Sequence, residues 1–417
     1  MRAMRDSGVE WIGEMPDGWD TLKGKYVLTL LQRSVRPDDG VITCFRDGEV
    51  TLRSNRREDG FTMSDREIGY QGINAGDLVI HGMDGFAGAI GISDSRGKGS
   101  PVLIVLDSEQ NKRYLMYYIR CMAMCKVFEA LSTGIRVRSC DLSWQKLANL
   151  PFPIPPLDEQ RRIADYLDAR CADIDAVSQK VRSEIDLLGE YRKSVIYEAV
   201  TKGLDKGVPM RDSATAYWGE VPAVWDLLKV KYVFEIVKRI AGREGFDILS
   251  ITQRGIQKKD LDSVGAQVAD DYSGYQLLYP GEFAMNHMDL LTGWIDISPY
   301  FGVTSPDYRV FKLIDSTANE RRYFKYVMQC CYLCQIFYSL GSGVANKGRW
   351  RLQADTFKNF VVPIPPLDEQ RRIADYLDAR CADIDAVIAR KRQQLDVLAD
   401  YRKSLIYEYV TGKREVA

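Results

Sequence analysis

Histidine is nearly missing from this chain: His81 and His287 are the only two in 417 residues. They stand at non-equivalent places, so a catalytic histidine base or a Cys/His zinc set has little to draw on. Of nine cysteines, Cys331 and Cys334 make one C-x-x-C with no second pair. Buried core thiols fit that better than a metal or redox centre. Cofactor motifs are missing too. No G-x-x-x-x-G-K-S/T occurs; Gly97-Lys98 lacks the upstream glycine and runs into Gly99. No G-x-G-x-x-G, H-E-x-x-H or N-P-P-Tyr occurs either. These gaps argue against a self-contained nuclease or methyltransferase and for a chain that binds no metal or cofactor itself. No signal peptide is evident, and the most apolar stretch, 114–124, is short and broken by Arg120. A cytoplasmic protein without membrane contact is expected.

What the chain has in plenty is repetition. Residues 153–177 read PIPPLDEQRRIADYLDARCADIDAV, and residues 363–387 repeat them letter for letter. Tyr191-Arg192-Lys193-Ser194 then matches Tyr401-Arg402-Lys403-Ser404. Upstream the match is weaker. Gly13, Glu14, Pro16 and Trp19 match Gly219, Glu220, Pro222 and Trp225, and Lys25-Tyr26-Val27 matches Lys231-Tyr232-Val233. Gly76-Asp77-Leu78 matches Gly281-Glu282-Phe283, and the helix-like run 113–131 matches 322–340. Cores tolerate volume-conserving swaps, so packing alone does not demand identity over such a length. A recent duplication without functional meaning would not explain why the flanking domains diverged while the segment did not. Two different readers on one shared frame is the more economical reading.

The shared segment begins with Pro155-Pro156-Leu157-Asp158, a helix-start pattern. An apolar seam follows through Ile163, Leu167, Ile174, Val177, Val181 and Leu188, and in the second copy through Ile373, Leu377, Ile384, Val387, Leu398 and Leu405. Each helix runs about 45 residues, roughly 65 Å at 1.5 Å per residue. The spacing predicts a coiled coil, with the two helices pairing antiparallel and the globular domains at opposite ends of a rod. Two amphipathic helices packed separately on their own domains is the alternative. The expected class is α+β with a pseudo-two-fold repeat: globular domains at 1–152 and 207–362, helical regions at 153–206 and 363–417.

Net charge is −1 and gives no basic signal by itself. Each shared segment carries six acids and three arginines, so the two together hold −6 and the rest of the chain +5. That balance permits nucleic-acid binding. In the globular halves, Gly-containing turns lead into basic residues: Gly134 into Arg136 and Arg138, and Gly343 into Lys347 and Arg349. Further clusters are Arg53, Arg56 and Arg57, then Arg254, Lys258 and Lys259. Arg and Lys neutralise phosphate or fork onto guanine, and Gln253 and Asn286 suit adenine. Any one of these clusters, taken singly, also fits an ordinary solvated surface.

The P-I-P-P-L-x-E-Q-x-x-I-A-x-x-L pattern at 153–167 and 363–377, with W-I-G-E-M-P-x-G-W at 11–19 and its partner at 218–225, resembles the conserved regions of type I restriction–modification specificity subunits. The resemblance covers the whole chain in order: target domain, helix, target domain, helix. It implies a non-catalytic subunit that binds double-stranded DNA. Each target domain would read half of a bipartite, asymmetric site, with the helices setting the spacer. It also implies two modification (methyltransferase) subunits docked on the helices, and two restriction subunits. S-adenosylmethionine, ATP and magnesium would sit on those partners. A coiled-coil scaffold without DNA binding remains the rival.

Overall fold

Strand Leu78–His81 shows how the first globular unit is layered. Successive side chains of a strand point to opposite faces. Leu78 and Ile80 enter one apolar cluster, with the helix Lys112–Met124, and Val79 enters a second, with Ile42, Cys44 and Val50. Ile104 and Leu106 against Leu103 and Val105 repeat the division on the neighbouring strand. Both faces are covered, so the run is apolar throughout rather than alternating.

The computed structural model describes residues 2–56, 68–131, 142–260, 271–343 and 350–416. They fall into two units, one from 1–181 with 393–417, the other from 182–392. The first unit has an antiparallel sheet ordered Thr29–Leu30, Leu103–Asp107, Leu78–His81, Ile90–Ile92. The second repeats the order with Phe234–Val237, Arg309–Leu313, Phe283–Met285 and Ile295–Ile297. A helix follows each sheet. Asn111 caps Lys112–Met124 by accepting from the Arg113 and Tyr114 amides at 3.0 and 3.1 Å, and Glu320 caps Arg321–Leu333 by accepting from the Arg322 amide at 3.1 Å.

The long helices are Leu157–Lys202 and Leu367–Val410. In the first unit Asp175 meets Arg402 at 2.9 Å, and the Tyr166 and Tyr409 rings lie 4.5 Å apart. In the second, Glu184 meets Lys391, and Arg192 meets Asp385 at 3.2 Å. One number rises as the other falls, so the helices pair antiparallel within each unit.

The seam departs from expectation at two positions. Val177 and Val387 are 44% and 38% exposed. The buried stripe of the first copy passes instead through Ile163, Leu167, Cys171, Ile174, Ser178 and Val181, five steps in 18 residues. From Leu167 to Val181 its steps alternate between four and three residues, the heptad spacing of a coiled coil. Ile373, Leu377, Cys381, Ile384 and Leu405 are buried in the second copy, while Leu188 and Leu398 are half-buried.

The identical segment clamps each domain through the same atoms. The Trp19 indole N–H donates to Glu159 at 3.1 Å, and Trp225 donates to Glu369 at 3.0 Å. Arg113 forks onto Asp165 and Asp168, both at 2.6 Å; Arg322 spans Asp375 and Asp378 at 2.8 and 2.9 Å. The Tyr117 and Tyr326 hydroxyls donate to those same aspartates, Asp168 and Asp378, at 2.8 and 2.6 Å. Gln160 and Gln370 accept the backbone N–H of Asn111 and Glu320 at 3.0 and 2.9 Å. Much of the identity is therefore docking chemistry, where a carboxylate or amide has no volume-matched substitute.

Candidate nucleic-acid interface

A β-hairpin covers the outer face of each domain near the central strand. In the first unit Ile42–Cys44 pairs with Val50–Leu52 around the turn residues Asp47-Gly48, and Gly48 takes the left-handed φ of 91°. A side chain at Gly48 would strike the Arg120 guanidinium, which donates to Ile90 O at 2.8 Å and to Gly48 O at 3.1 Å. In the second unit Leu249–Thr252 pairs with Gly255–Lys258, and Gln329, at the place of Arg120, donates to Ile295 O at 3.1 Å. The hairpin tips reach the same loop: Arg46 meets Asp84 at 2.8 Å, and Gln253 donates to Thr292 O at 3.3 Å.

Behind the first hairpin lies a cavity of about 550 Å³ lined by Thr43, Arg46, Arg53, Arg56, His81 and Asp84 among others. Arg53 and Arg56 thus come together. Arg53 donates to Thr43 at 3.3 Å; Arg56 is held by Asp47 at 2.6 Å and Glu49 at 3.1 Å, and lies 4.2 Å over the Phe45 ring. His81 Nδ1 accepts the Asp84 amide at 3.0 Å, and burial lowers its pKa, which suits a neutral imidazole offering Nε2–H.

In the second unit a cavity of about 310 Å³ collects Gln253 and Arg254 with Arg192, Lys325, Gln329 and Asp296, whose pKa burial raises. Lys258 is paired with Asp247 at 2.6 Å, and Asn286 Oδ1 accepts the Met288 amide at 3.2 Å; neither lines that cavity. The backbone N–H of Lys259 donates to Ile248 O at 2.7 Å. Arg57, Arg136, Arg138, Lys347 and Arg349 lie outside the described residues.

Sequence reading missed a basic cluster in the second unit. Arg309 is 6% exposed, donates to Leu352 O at 3.0 Å and lies 4.8 Å from the Phe357 ring. Its Nη1, Arg351 Nε and His287 Nδ1 are buried without hydrogen-bond partners among the described residues. Burial, then Arg309 and Arg351, hold His287 down at about 4. An arginine inside a strand pattern was the available signal.

The thiols pair differently from the sequence spacing. Cys330 and Cys334 bring their sulfurs to 3.7 Å, while Cys331 donates to Val327 O at 3.2 Å. Among the described residues no three His, Cys, Asp or Glu side chains group as metal ligands, and no helix is long and apolar enough to cross a membrane.

Comparison with known proteins agrees with the doubled architecture. Over 97% of this chain and 96% of the relative, it is 23% identical to the putative type I restriction enzyme MjaX specificity subunit of Methanocaldococcus jannaschii. Over 82% of this chain and 80% of the relative, it is 22% identical to the type I restriction enzyme MjaVIII specificity subunit of the same organism. A solved chain from work on complex assembly and conformational transition of the type I R-M system shares the fold, with a TM-score of 0.67 and 15% identity, covering 96% of this chain and 99% of that one. The model for the type I restriction modification DNA specificity domain matches residues 71–186 and again 280–396, more than half of the sequence. Two matches at equivalent places in two units of one topology settle the family: the chain belongs to the type I restriction modification DNA specificity family.

Proposed function

We propose that each unit reads one half of a bipartite, asymmetric site in double-stranded DNA, and that the chain itself performs no chemistry. The observation that carries this reading is the matched clamp around unmatched hairpins. Glu159 and Glu369, Asp168 and Asp378, Gln160 and Gln370 hold the two domains alike. The side chains at the hairpins and cavities differ: Arg46, Arg53 and His81 in one, Gln253, Arg254 and Lys325 in the other. A common frame with different polar surfaces suits two base-reading modules, since base edges are discriminated by donor and acceptor pattern. The long helices set the spacer and dock two modification subunits, which hold S-adenosylmethionine and methylate adenine. Restriction subunits, two per complex, use ATP and magnesium. Replacing residues 1–152 with the matching domain of a relative, and mapping methylated adenine genome-wide, should change one half-site and leave the other. A simultaneous change in both half-sites would refute independent readers.

A further inference from the structure

The helix that follows each sheet ends on the same two thiols. Cys121 and Cys125 span the last turn of one, Cys330 and Cys334 the last turn of the other. In each pair the first cysteine is buried and the second half-buried. The sulfurs are 3.7 Å apart in the second unit, and a hydrogen bond joins the first pair likewise. Every residue between and beside the two cysteines differs between the copies: Met122, Ala123 and Met124 against Cys331, Tyr332 and Leu333, with Arg120 and Lys126 against Gln329 and Gln335. The C-x-x-C of the second unit is not the pair in contact, since Cys331 turns its sulfur to Val327 O and the first unit has Met122 at that place. Cys125 and Cys334 also end their helices. The next residue, Lys126 or Gln335, is left-handed at φ 59° or 56° without being glycine.

Filling this space needs no second sulfur, because a small apolar side chain serves as well. Two sulfurs in contact allow a reaction. We propose that Cys121 with Cys125, and Cys330 with Cys334, are reversible redox pairs that a hydroperoxide closes to disulfides. The half-buried sulfur attacks and the O–O bond breaks. Its thiol proton goes to the leaving oxygen, which departs as alcohol or water, and a sulfenic acid remains. The buried sulfur then displaces the sulfenic oxygen: S–S forms, S–O breaks, and that oxygen leaves as water with the second thiol proton. A hydrogen bond from the buried thiol holds Cys125 down at about 7 and lowers Cys334, which favours the thiolate where the oxidant has access. Cβ atoms four residues apart on a helix lie about 5–6 Å apart, and a disulfide needs them within about 4.5 Å. Closure therefore distorts the last turn, and a strained disulfide is one that cellular thiols reopen. The turn packs in one cluster with Tyr407 or Tyr197 of a long helix, whose hydroxyls donate to Trp11 O at 3.2 Å and Trp218 O at 3.4 Å. Oxidation thus loosens each domain where its main helix meets the long helices.

The test treats the reduced full chain with hydrogen peroxide and reads thiol mapping, intact mass and amide exchange. Each pair should lose two hydrogens, and dithiothreitol should restore them. Amides at 121–126 and 330–335 should exchange at least about tenfold faster in the oxidised chain. Cys125→Ala should abolish the first disulfide and spare the second, Cys334→Ala the reverse, and Cys331→Ala should change neither. Cys121→Ala should strand Cys125 as a sulfenic acid that dimedone traps. If a variant misfolds, the unsubstituted chain still decides through its own mass and exchange. Both pairs staying reduced at a peroxide level that oxidises free glutathione would overturn the proposal. So would a second-unit disulfide that vanishes in Cys331→Ala, which would assign it to the C-x-x-C, and so would disulfides that form with no change in exchange, which would make them inert.

Discussion

The two units share one topology and one clamp, yet differ at the surface beside the central strand. By sheet register Arg309 stands where the first unit has Ile104, and His287 where it has Gly82. In the first unit Gly82 and Ile104 line a cavity of about 800 Å³. The second unit puts there nitrogens that have no hydrogen-bond partner among the described residues. The same scaffold thus tolerates a hollow in one copy and a basic cluster in the other. None of the clamp hydrogen bonds named above involves these positions, so the readers can diverge while that attachment stays constant.

The largest expected effect tests whether the clamps are equivalent. Trp19→Ala and Trp225→Ala should each cost about 3–5 kcal/mol, because each removes a fully buried indole and one hydrogen bond to a carboxylate. Urea unfolding with limited proteolysis should show only the unit that carries the change opening; coincident loss of both would merge them into one cooperative body.

Next in size is reading. Arg53→Ala with Arg56→Ala should relax one half-site, and Gln253→Ala with Arg254→Ala the other. A lost base contact costs about 1–3 kcal/mol of discrimination. Methylation mapping that showed both pairs relaxing the same half-site would break the assignment of one reader per unit.

A smaller effect distinguishes the basic cluster. The folded pKa of His287, about 4, lies below its ordinary 6.5. Neutral His287 therefore leaves its stabilisation complete above about pH 6.5 and loses it as pH falls towards 4. Replacing it with the first unit's residue, His287→Gly, should flatten the acid dependence of the second unit's unfolding midpoint, and an unchanged slope would remove His287 from the account. Smallest of all, Arg402→Ala and Arg192→Ala break matched, solvent-screened helix pairs, Asp175–Arg402 and Asp385–Arg192. Each should cost under about 1 kcal/mol by calorimetry.

The repeat, the two helices and the α+β class were legible because periodicity and identity are visible in letters. The seam was legible only in part. Cys171 and Ser178 hardly register as seam residues, and Val177, the apolar neighbour of Ser178, stands one position off the buried stripe. The clamp was hidden for another reason: Trp19 to Glu159 and Arg113 to Asp168 are contacts across long sequence separations, and a side-chain hydrogen bond leaves no periodic trace. Of the candidate site, Arg53 with Arg56 and Gln253 with Arg254 came together, because each pair lies close in sequence within or beside a hairpin. The cluster at His287 and Arg309 was not seen, since a buried arginine in a strand looks like an edge position until its burial is known.

The first unit is completed by residues 393–417, and Leu405, Ile406, Tyr409 and Val410 belong to its core. During synthesis the domain that leaves the ribosome first is therefore the one that closes last. Until residues 393–417 emerge, Ile163, Leu167 and Ile174 lack the core that Leu405, Ile406, Tyr409 and Val410 complete, while the unit from 182–392 already holds all its own parts. Translation order and folding order should run in opposite directions along this chain, and a stall between residues 392 and 405 would release a finished second reader beside an open first one.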